Sequence, residues 1–264
     1  MRHPALSKKA HLTRYLPMQR IKQMTYSIIV PCYNEARNLP HSATKLLTFL
    51  DQALGDISFE VIFVCDGATD NTLSLLESIH HDKMRICAYE QNQGKGYAVR
   101  LGMMEAKGDI RLFTDCDLAY GTEAVVDMLT YLSDHPEADY CVASRKLHPQ
   151  GYEGYSFMRK MVSRVYYLMI RTLTGLKLSD SQSGLKAFRS TVAEKVFPLC
   201  TINRFAFDLE VLMMADKMGF RSSELPARVI SNEGSSISLA DPFKMFRDLL
   251  KIRRTVKKLK FEKK

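Results

Sequence analysis

Asp115 and Asp117 flank a cysteine at the end of the apolar run Arg111-Leu-Phe-Thr-Asp-Cys-Asp-Leu-Ala-Tyr120. On a strand, residues two apart share a face, about 7 Å from one another. Two carboxylates at that spacing repel by about 2 kcal/mol at an effective dielectric near 20. A positive partner is expected to offset the repulsion. The donors are hard oxygens, and Cys116 is expected to face the other way, so Mg2+ or Mn2+ suits the pair better than zinc. Mg2+ is usually held by one or two carboxylates plus substrate phosphates, which makes a diphosphate the expected third component. Lys95, between Gly94 and Gly96, places a basic charge suited to such a group, although Gly94-Lys-Gly96 is not a Walker loop.

The elements that must position these residues alternate. Tyr26–Val30, Phe59–Val64, Arg85–Tyr89, the run through Leu112 and Phe113, and Asp139–Ala143 read as strands. Leu39–Leu54, a stretch with Leu73, Leu76 and Ile79, Tyr97–Ala106 and Glu123–Leu132 read as helices. Asp70 is placed to cap the second of these helices. The alternation predicts an open, mostly parallel α/β sheet flanked by helices. Ligands bind such sheets at the carboxyl ends of the strands. Asn34 and Glu35, Asp66 and Asp70, Asp115 and Asp117, and Ser144 and Arg145 all fall there. Four strand ends converging on one crevice make it the candidate active site. Beyond it, Gly154–Leu176 reads as a long helix and Leu178–Phe188 as a polar, glycine-bearing loop. A helix is expected from Phe207 and a strand over Ser223–Ile230. Asp241-Pro242 supplies the start of a C-terminal basic helix with Phe246, Leu249, Leu250 and Val256 as an apolar stripe.

Composition narrows the class. Of 264 residues, 46% are hydrophobic and 25% charged, as in an ordinary globular protein. Six cysteines without a C-x-x-C pair read as reduced, buried thiols of a cytosolic protein rather than disulfides or a zinc site. No apolar run has the ~18–20 residues of a membrane span, and the N-terminal stretch has no apolar signal-peptide segment. The net charge of +9 is concentrated at the ends, with +6 over residues 1–22 and +8 over 244–264, leaving −5 between them. An acidic body with basic ends argues against nucleic acid as the partner. It suits contact with an anionic membrane surface, where each basic residue contributes up to ~1 kcal/mol. The expected organisation is a basic extension over residues 1–24, a catalytic domain over 25–240 and a basic amphipathic helix over 241–264.

Pro31-x-Tyr-Asn-Glu35, Asp66-Gly-Ala-Thr-Asp70, Gly94-Lys-Gly-x-Ala-Val-Arg100 and Thr114-Asp-Cys-Asp-Leu-Ala119 resemble the inverting family 2 glycosyltransferases of GT-A fold. Ser144-Arg145, Arg159-Lys-Met-Val-Ser163, Asp180-Ser-Gln-Ser-Gly-Leu-Lys186 and Phe207-Asp-Leu-Glu210 are similar to motifs of the polyprenyl-phosphate (dolichyl-phosphate) glucosyl- and mannosyltransferases. The resemblance covers residues 25–255. It implies that Pro31, Tyr33, Glu35 and Asp66 hold the nucleoside, with Lys95 beside the diphosphate. Asp115 and Asp117 would hold the metal and diphosphate. Arg145, Arg159 and Ser163 would bind the phosphate of the lipid acceptor. Asp180, Gln182, Lys186 and Asp208 are further candidates, with Asp117, Arg145 and Asp208 nearest the chemistry. Two positions depart from the pattern: Cys65 replaces a common aspartate, and Ser236 stands where relatives place a lysine.

The implied reaction transfers a hexose, glucose above others, from a nucleotide sugar such as UDP-glucose to a polyprenyl phosphate with inversion at C1. A phosphate monoester has a second pKa of about 6, so it needs cations to align it and no base to activate it. The setting would be the cytoplasmic face of a membrane, reached through the chain's basic helices or an integral membrane partner. The main alternative is a family 2 enzyme with a saccharide hydroxyl acceptor, in cell-surface polysaccharide assembly, for which Asp208 or Asp180 would serve as base. A sugar-phosphate nucleotidyltransferase would need a glycine-rich, arginine-bearing loop after the first strand, which Pro31–Glu35 is not.

Overall fold

The computed structural model describes residues 24–153, 157–204, 206–230 and 241–258. Residues 1–23 of the basic extension, the segment containing Ser236 and the side chain of Arg159 lie outside the described residues. The first strand, β1 (Tyr26–Cys32), leads into helix α1 (Leu39–Leu54), and β2 (Phe59–Asp66) into α2 (Thr72–Glu77). Then come β3 (Met84–Tyr89), α3 (Lys95–Glu105), β4 (Ile110–Phe113), α4 (Gly121–Asp134) and β5 (Tyr140–Ser144). The second half contains α5 (Phe157–Thr174), β6 (Lys186–Arg189), α6 (Ser190–Val196), α7 (Phe207–Lys217), β7 (Ser222–Pro226) and α8 (Asp241–Lys258).

The seven strands order as β3-β2-β1-β4-β6-β5-β7. All neighbours are parallel except β6, which runs antiparallel between β4 and β5. β1 explains why a strand of this sheet is apolar throughout. Ile28 and Val30 join the core under α1 and α4, while Ile29 faces the second core with Val99, Met103 and Phe207. β1 and β4 run parallel, but with α1 and α3 on opposite faces the order in which successive strands are added reverses between them. That reversal opens the crevice in which open α/β sheets bind ligands.

Several expectations are corrected. Leu178–Phe188 is not loop throughout, since Lys186–Arg189 forms β6. The last strand stops at Pro226 rather than continuing to Ile230. Asp70 precedes the Asn71 cap position; its carboxylate accepts from the N–H groups of Thr72 (3.0 Å) and Ala36 (3.1 Å), tying the β1 loop to α2. Asp115 and Asp117 lie just beyond β4 rather than on it, because Leu118 adopts φ +50° and closes a turn onto the Asp115 carbonyl. Of the α8 stripe, Leu249 and Val256 are buried with Ile252 in the core that includes α7, Leu250 is half-buried, and the Phe246 side chain lies outside the described residues.

Candidate active site

The β1 and β2 ends are joined through Asn34, whose left-handed φ of +54° turns its side chain to accept the Thr69 N–H at 2.8 Å. The Glu35 N–H donates to Thr72 Oγ1 at 2.8 Å. Tyr33 is 46% exposed on this rim, and Pro31 is half-buried below it. Asp66 is buried, and its carboxylate accepts from Asn92 Nδ2 (3.1 Å) and from the N–H groups of Gln93 (2.7 Å) and Gly94 (2.9 Å). Its direct work is therefore to shape the loop that leads to Lys95. Cys65, the first departure from the family pattern, packs in the core under α1.

Lys95 Nζ is the positive partner expected for the paired aspartates, because it donates to Asp115 Oδ1. Burial opposes its charge, but Asp115 and Asp208 outweigh that and raise its pKa. The crevice is still rich in acid. Burial and the Asp115 charge push Asp117 above the ordinary carboxylate range, and burial with Asp117 and Asp115 does the same to Glu35. Asp117 Oδ1 accepts the Ala119 N–H at 3.0 Å, which fixes the turn. Cys116 faces away, its Sγ 3.5 Å from Cys32 Sγ in the core. Opposite Asp115 lies Gly184, where a β-carbon would sit 1.9 Å from Asp115 Oδ2. The backbone thus approaches the carboxylate as no other residue would allow.

This donor set fits a hard divalent cation. Burial and the Asp115 charge make Asp117 costly to ionise, the Cys116 sulfur points away, and no cluster of three or more protein ligands forms among the described residues. Most of the coordination would be left to substrate oxygens and water, as Mg2+ prefers.

A second layer of charge lies behind. Lys186, wholly buried on β6, donates to Asp208 Oδ1 (2.7 Å) and the Ser183 carbonyl (2.5 Å). Burial raises the Asp208 pKa despite Lys186 and Lys95, and burial lowers that of Lys186. Lys186 is thus the internal counter-ion of Asp208 rather than a ligand-facing group. At the β5 end, the Arg145 guanidinium forks onto Asp180 at 2.6 and 2.8 Å. Burial works against the Asp180 charge, yet Arg145 holds the carboxyl below its usual pKa. The Gln182 N–H donates to Asp180 at 3.3 Å.

Next to Arg145, Lys146, Tyr152, Ser163, Arg164, Tyr167 and Leu168 line a groove of about 380 Å³. Ser163 is thereby placed beside two cations that sequence reasoning did not single out, Lys146 and Arg164. Lys146 Nζ lies 3.6 Å from the Tyr167 ring centroid, and Arg171 donates to the Tyr167 hydroxyl at 3.0 Å. The helical spacing of Ser163 and Tyr167 was the available signal. Gly184 was legible only as a glycine inside a polar motif.

Known proteins resemble this chain over most of its length. Residues 27–197 match the profile of glycosyl transferase family 2. A dolichyl-phosphate beta-glucosyltransferase of Drosophila melanogaster is 30% identical over 277 residues, covering 95% of this chain and 84% of its own. The protein of the same description from Saccharomyces cerevisiae is 26% identical, covering 96% and 83%. Among solved structures, glucosyl-3-phosphoglycerate synthase from Mycobacterium tuberculosis, in complex with Mn2+, UDP and phosphoglyceric acid, shares the fold. It aligns with a TM-score of 0.67 at 18% identity, over 90% of this chain and 80% of that one. With most of its length matched by the family profile and by a relative of this similarity, the chain belongs to glycosyl transferase family 2.

Proposed function

We propose that the protein transfers glucose from UDP-glucose to a polyprenyl phosphate, with inversion at C1. The observation that carries the reading is the juxtaposition of two sites. An acid-rich crevice with Lys95 sits at the β1 and β4 ends, and a cation-lined groove holding Ser163 sits beside Arg145 at the β5 end. The first suits a metal-bound nucleoside diphosphate and the second a phosphate monoester. The description of the relatives as dolichyl-phosphate beta-glucosyltransferases supports both the sugar and the acceptor class.

Pro31, Tyr33 and Glu35 line the nucleoside side, with Asp66 fixing the loop behind it. Asp115 and Asp117 would hold Mg2+ or Mn2+, which supplies Lewis-acid stabilisation of the departing diphosphate. Lys95 adds a fixed positive charge beside it. Arg145, oriented by Asp180, stands with Lys146, Arg164 and Ser163 to align the acceptor phosphate against the sugar. Asp208 is committed to Lys186, which suits a reaction that takes no proton from its nucleophile.

Contact with the cytoplasmic face of a membrane is part of the proposal. No helix among the described residues is long and apolar enough to cross one. Met161, Val165 and Leu168 are exposed along α5 beside Arg164 and Arg171, and Arg247, Lys251 and Arg254 are exposed on α8. Apolar and basic groups side by side suit an interfacial position.

The test offers purified protein a short polyprenyl phosphate and Mn2+ or Mg2+ with labelled UDP-glucose, UDP-galactose, UDP-N-acetylglucosamine or GDP-mannose. Organic-extractable label from UDP-glucose, lost in Asp117→Ala, is expected. Label on a saccharide instead of the lipid would overturn the acceptor assignment.

A further inference from the structure

We infer that Glu210 is a positioning residue for Lys95, acting through a short strap of backbone. The inference rests on the reading of Lys95 as a diphosphate-facing cation in a UDP-sugar site. Glu210 is the third residue after Phe207 on α7, is 0% exposed, and its carboxylate meets three donors. It accepts from the N–H groups of Thr201 (2.8 Å) and Ile202 (2.7 Å) and from Thr201 Oγ1 (3.0 Å). A buried carboxylate is stabilised only with such a full set of partners.

The strap it holds, residues 200–203, closes over the start of α3. The Asn203 carbonyl accepts from the N–H groups of Gly96 (2.8 Å) and Tyr97 (3.3 Å). Arg100 of α3 reaches back to the Cys200 carbonyl (2.7 Å) and Asn203 Oδ1 (3.0 Å). Contact is so close that a β-carbon on Gly94 would meet the Asn203 carbonyl oxygen at 2.5 Å, and one on Gly96 would meet the Ile202 oxygen at 2.6 Å. On the other side, Asp66 clamps the N–H groups of Gln93 and Gly94. Lys95 is therefore gripped between two buried carboxylates that never touch it.

One consequence concerns which group faces the donor. The Gly96 and Tyr97 amides are engaged by Asn203, so the α3 terminus presents the Lys95 ammonium in place of those N–H groups. Lys95 has a long, flexible stem, and its effect on a diphosphate depends on the backbone beneath it being fixed. Glu210→Gln keeps the shape, with its oxygen on the two N–H groups and its NH₂ on the Thr201 hydroxyl, but exchanges charge-assisted bonds for weaker neutral ones. That loosens the strap and lets Lys95 move.

The experiment uses the full chain and three readouts: hydrogen exchange at Gly96 and Tyr97 without ligand, and affinities for UDP and for uridine with Mn2+. In Glu210→Gln, exchange at those amides should quicken about ten-fold as the local opening cost falls. UDP affinity should fall about ten-fold with uridine affinity held within about two-fold, and Lys95→Ala in the same chain should add little, as coupled residues do. Thr201→Val, which removes one bond and leaves Glu210 in place, should show the same pattern more weakly and decides the matter if Glu210→Gln does not fold. Equal losses for UDP and uridine, independent effects of the Glu210 and Lys95 changes, or unchanged exchange would each overturn the inference. If the unsubstituted protein bound neither ligand, the donor-site reading itself would fall with it.

Discussion

Lys186→Met removes the ammonium that donates to Asp208 at 2.7 Å and to the Ser183 carbonyl at 2.5 Å. Both groups lose their partner in a place that water hardly reaches, since the Lys186 side chain is 0% and Asp208 13% exposed. Breaking a buried pair from one side costs about 3–5 kcal/mol. The lower end applies here, because Lys95 still acts on Asp208 and the carboxyl can protonate. A loss of about 3 kcal/mol, or a Tm fall of roughly 6–12 °C, is expected. The sign of its pH dependence follows from Asp208. Its folded pKa is already raised by burial, so its ionisation opposes folding: stability is lost as pH rises from the ordinary carboxylate range through the folded pKa. Without Lys186 that pKa rises further, and the defect should be larger at pH 8 than at pH 5. Replacing the pair together, Lys186→Met with Asp208→Leu, should restore most of the stability. Urea unfolding followed by circular dichroism at the two pH values measures all three chains. A single-variant loss below about 1 kcal/mol, or one equal at both pH values, would refute the assignment of Lys186 as counter-ion.

Gly184→Ala forces a methyl group to within 1.9 Å of Asp115 Oδ2, so Asp115 must move. Activity should fall about 100-fold with a higher Mn2+ requirement, as for ångström-scale misplacement of a reacting group, and an unchanged metal titration would contradict the cradle. Arg145→Lys exchanges a fork at 2.6 and 2.8 Å for a point charge. The KM for polyprenyl phosphate should rise about ten-fold with UDP affinity unchanged; loss of UDP binding instead would place Arg145 on the donor side. Lys251→Ala and Arg254→Ala on α8 should each weaken binding to anionic vesicles by about 1 kcal/mol, near five-fold. Sedimentation with vesicles reads this, and equal binding by the variants would remove α8 from the membrane surface.

Much of the frame was written locally. α1 was readable as Leu39–Leu54 because its apolar residues recur at helical spacing, and β1 because both of its faces are covered. β6 was not readable. Lys186-Ala-Phe-Arg189 is short and half cationic, and it becomes a central strand only because Asp208, twenty-two residues later, supplies the counter-charge. The same limit applied to the loops. Asp66, expected at the nucleoside, was legible as a strand-end acid, but the backbone amides it accepts from lie more than twenty-five residues away. Lys146 and Arg164 meet at one groove from different elements, and no spacing in the chain announced it. By itself the sequence determined the alternation of strands and helices, and with it the end of the sheet at which the acids gather, since periodicity and strand polarity are local properties. Only the tertiary structure decided which cation answers which acid. Ion pairing depends on separation in space, and that is set by how helices from distant parts of the chain pack on the sheet.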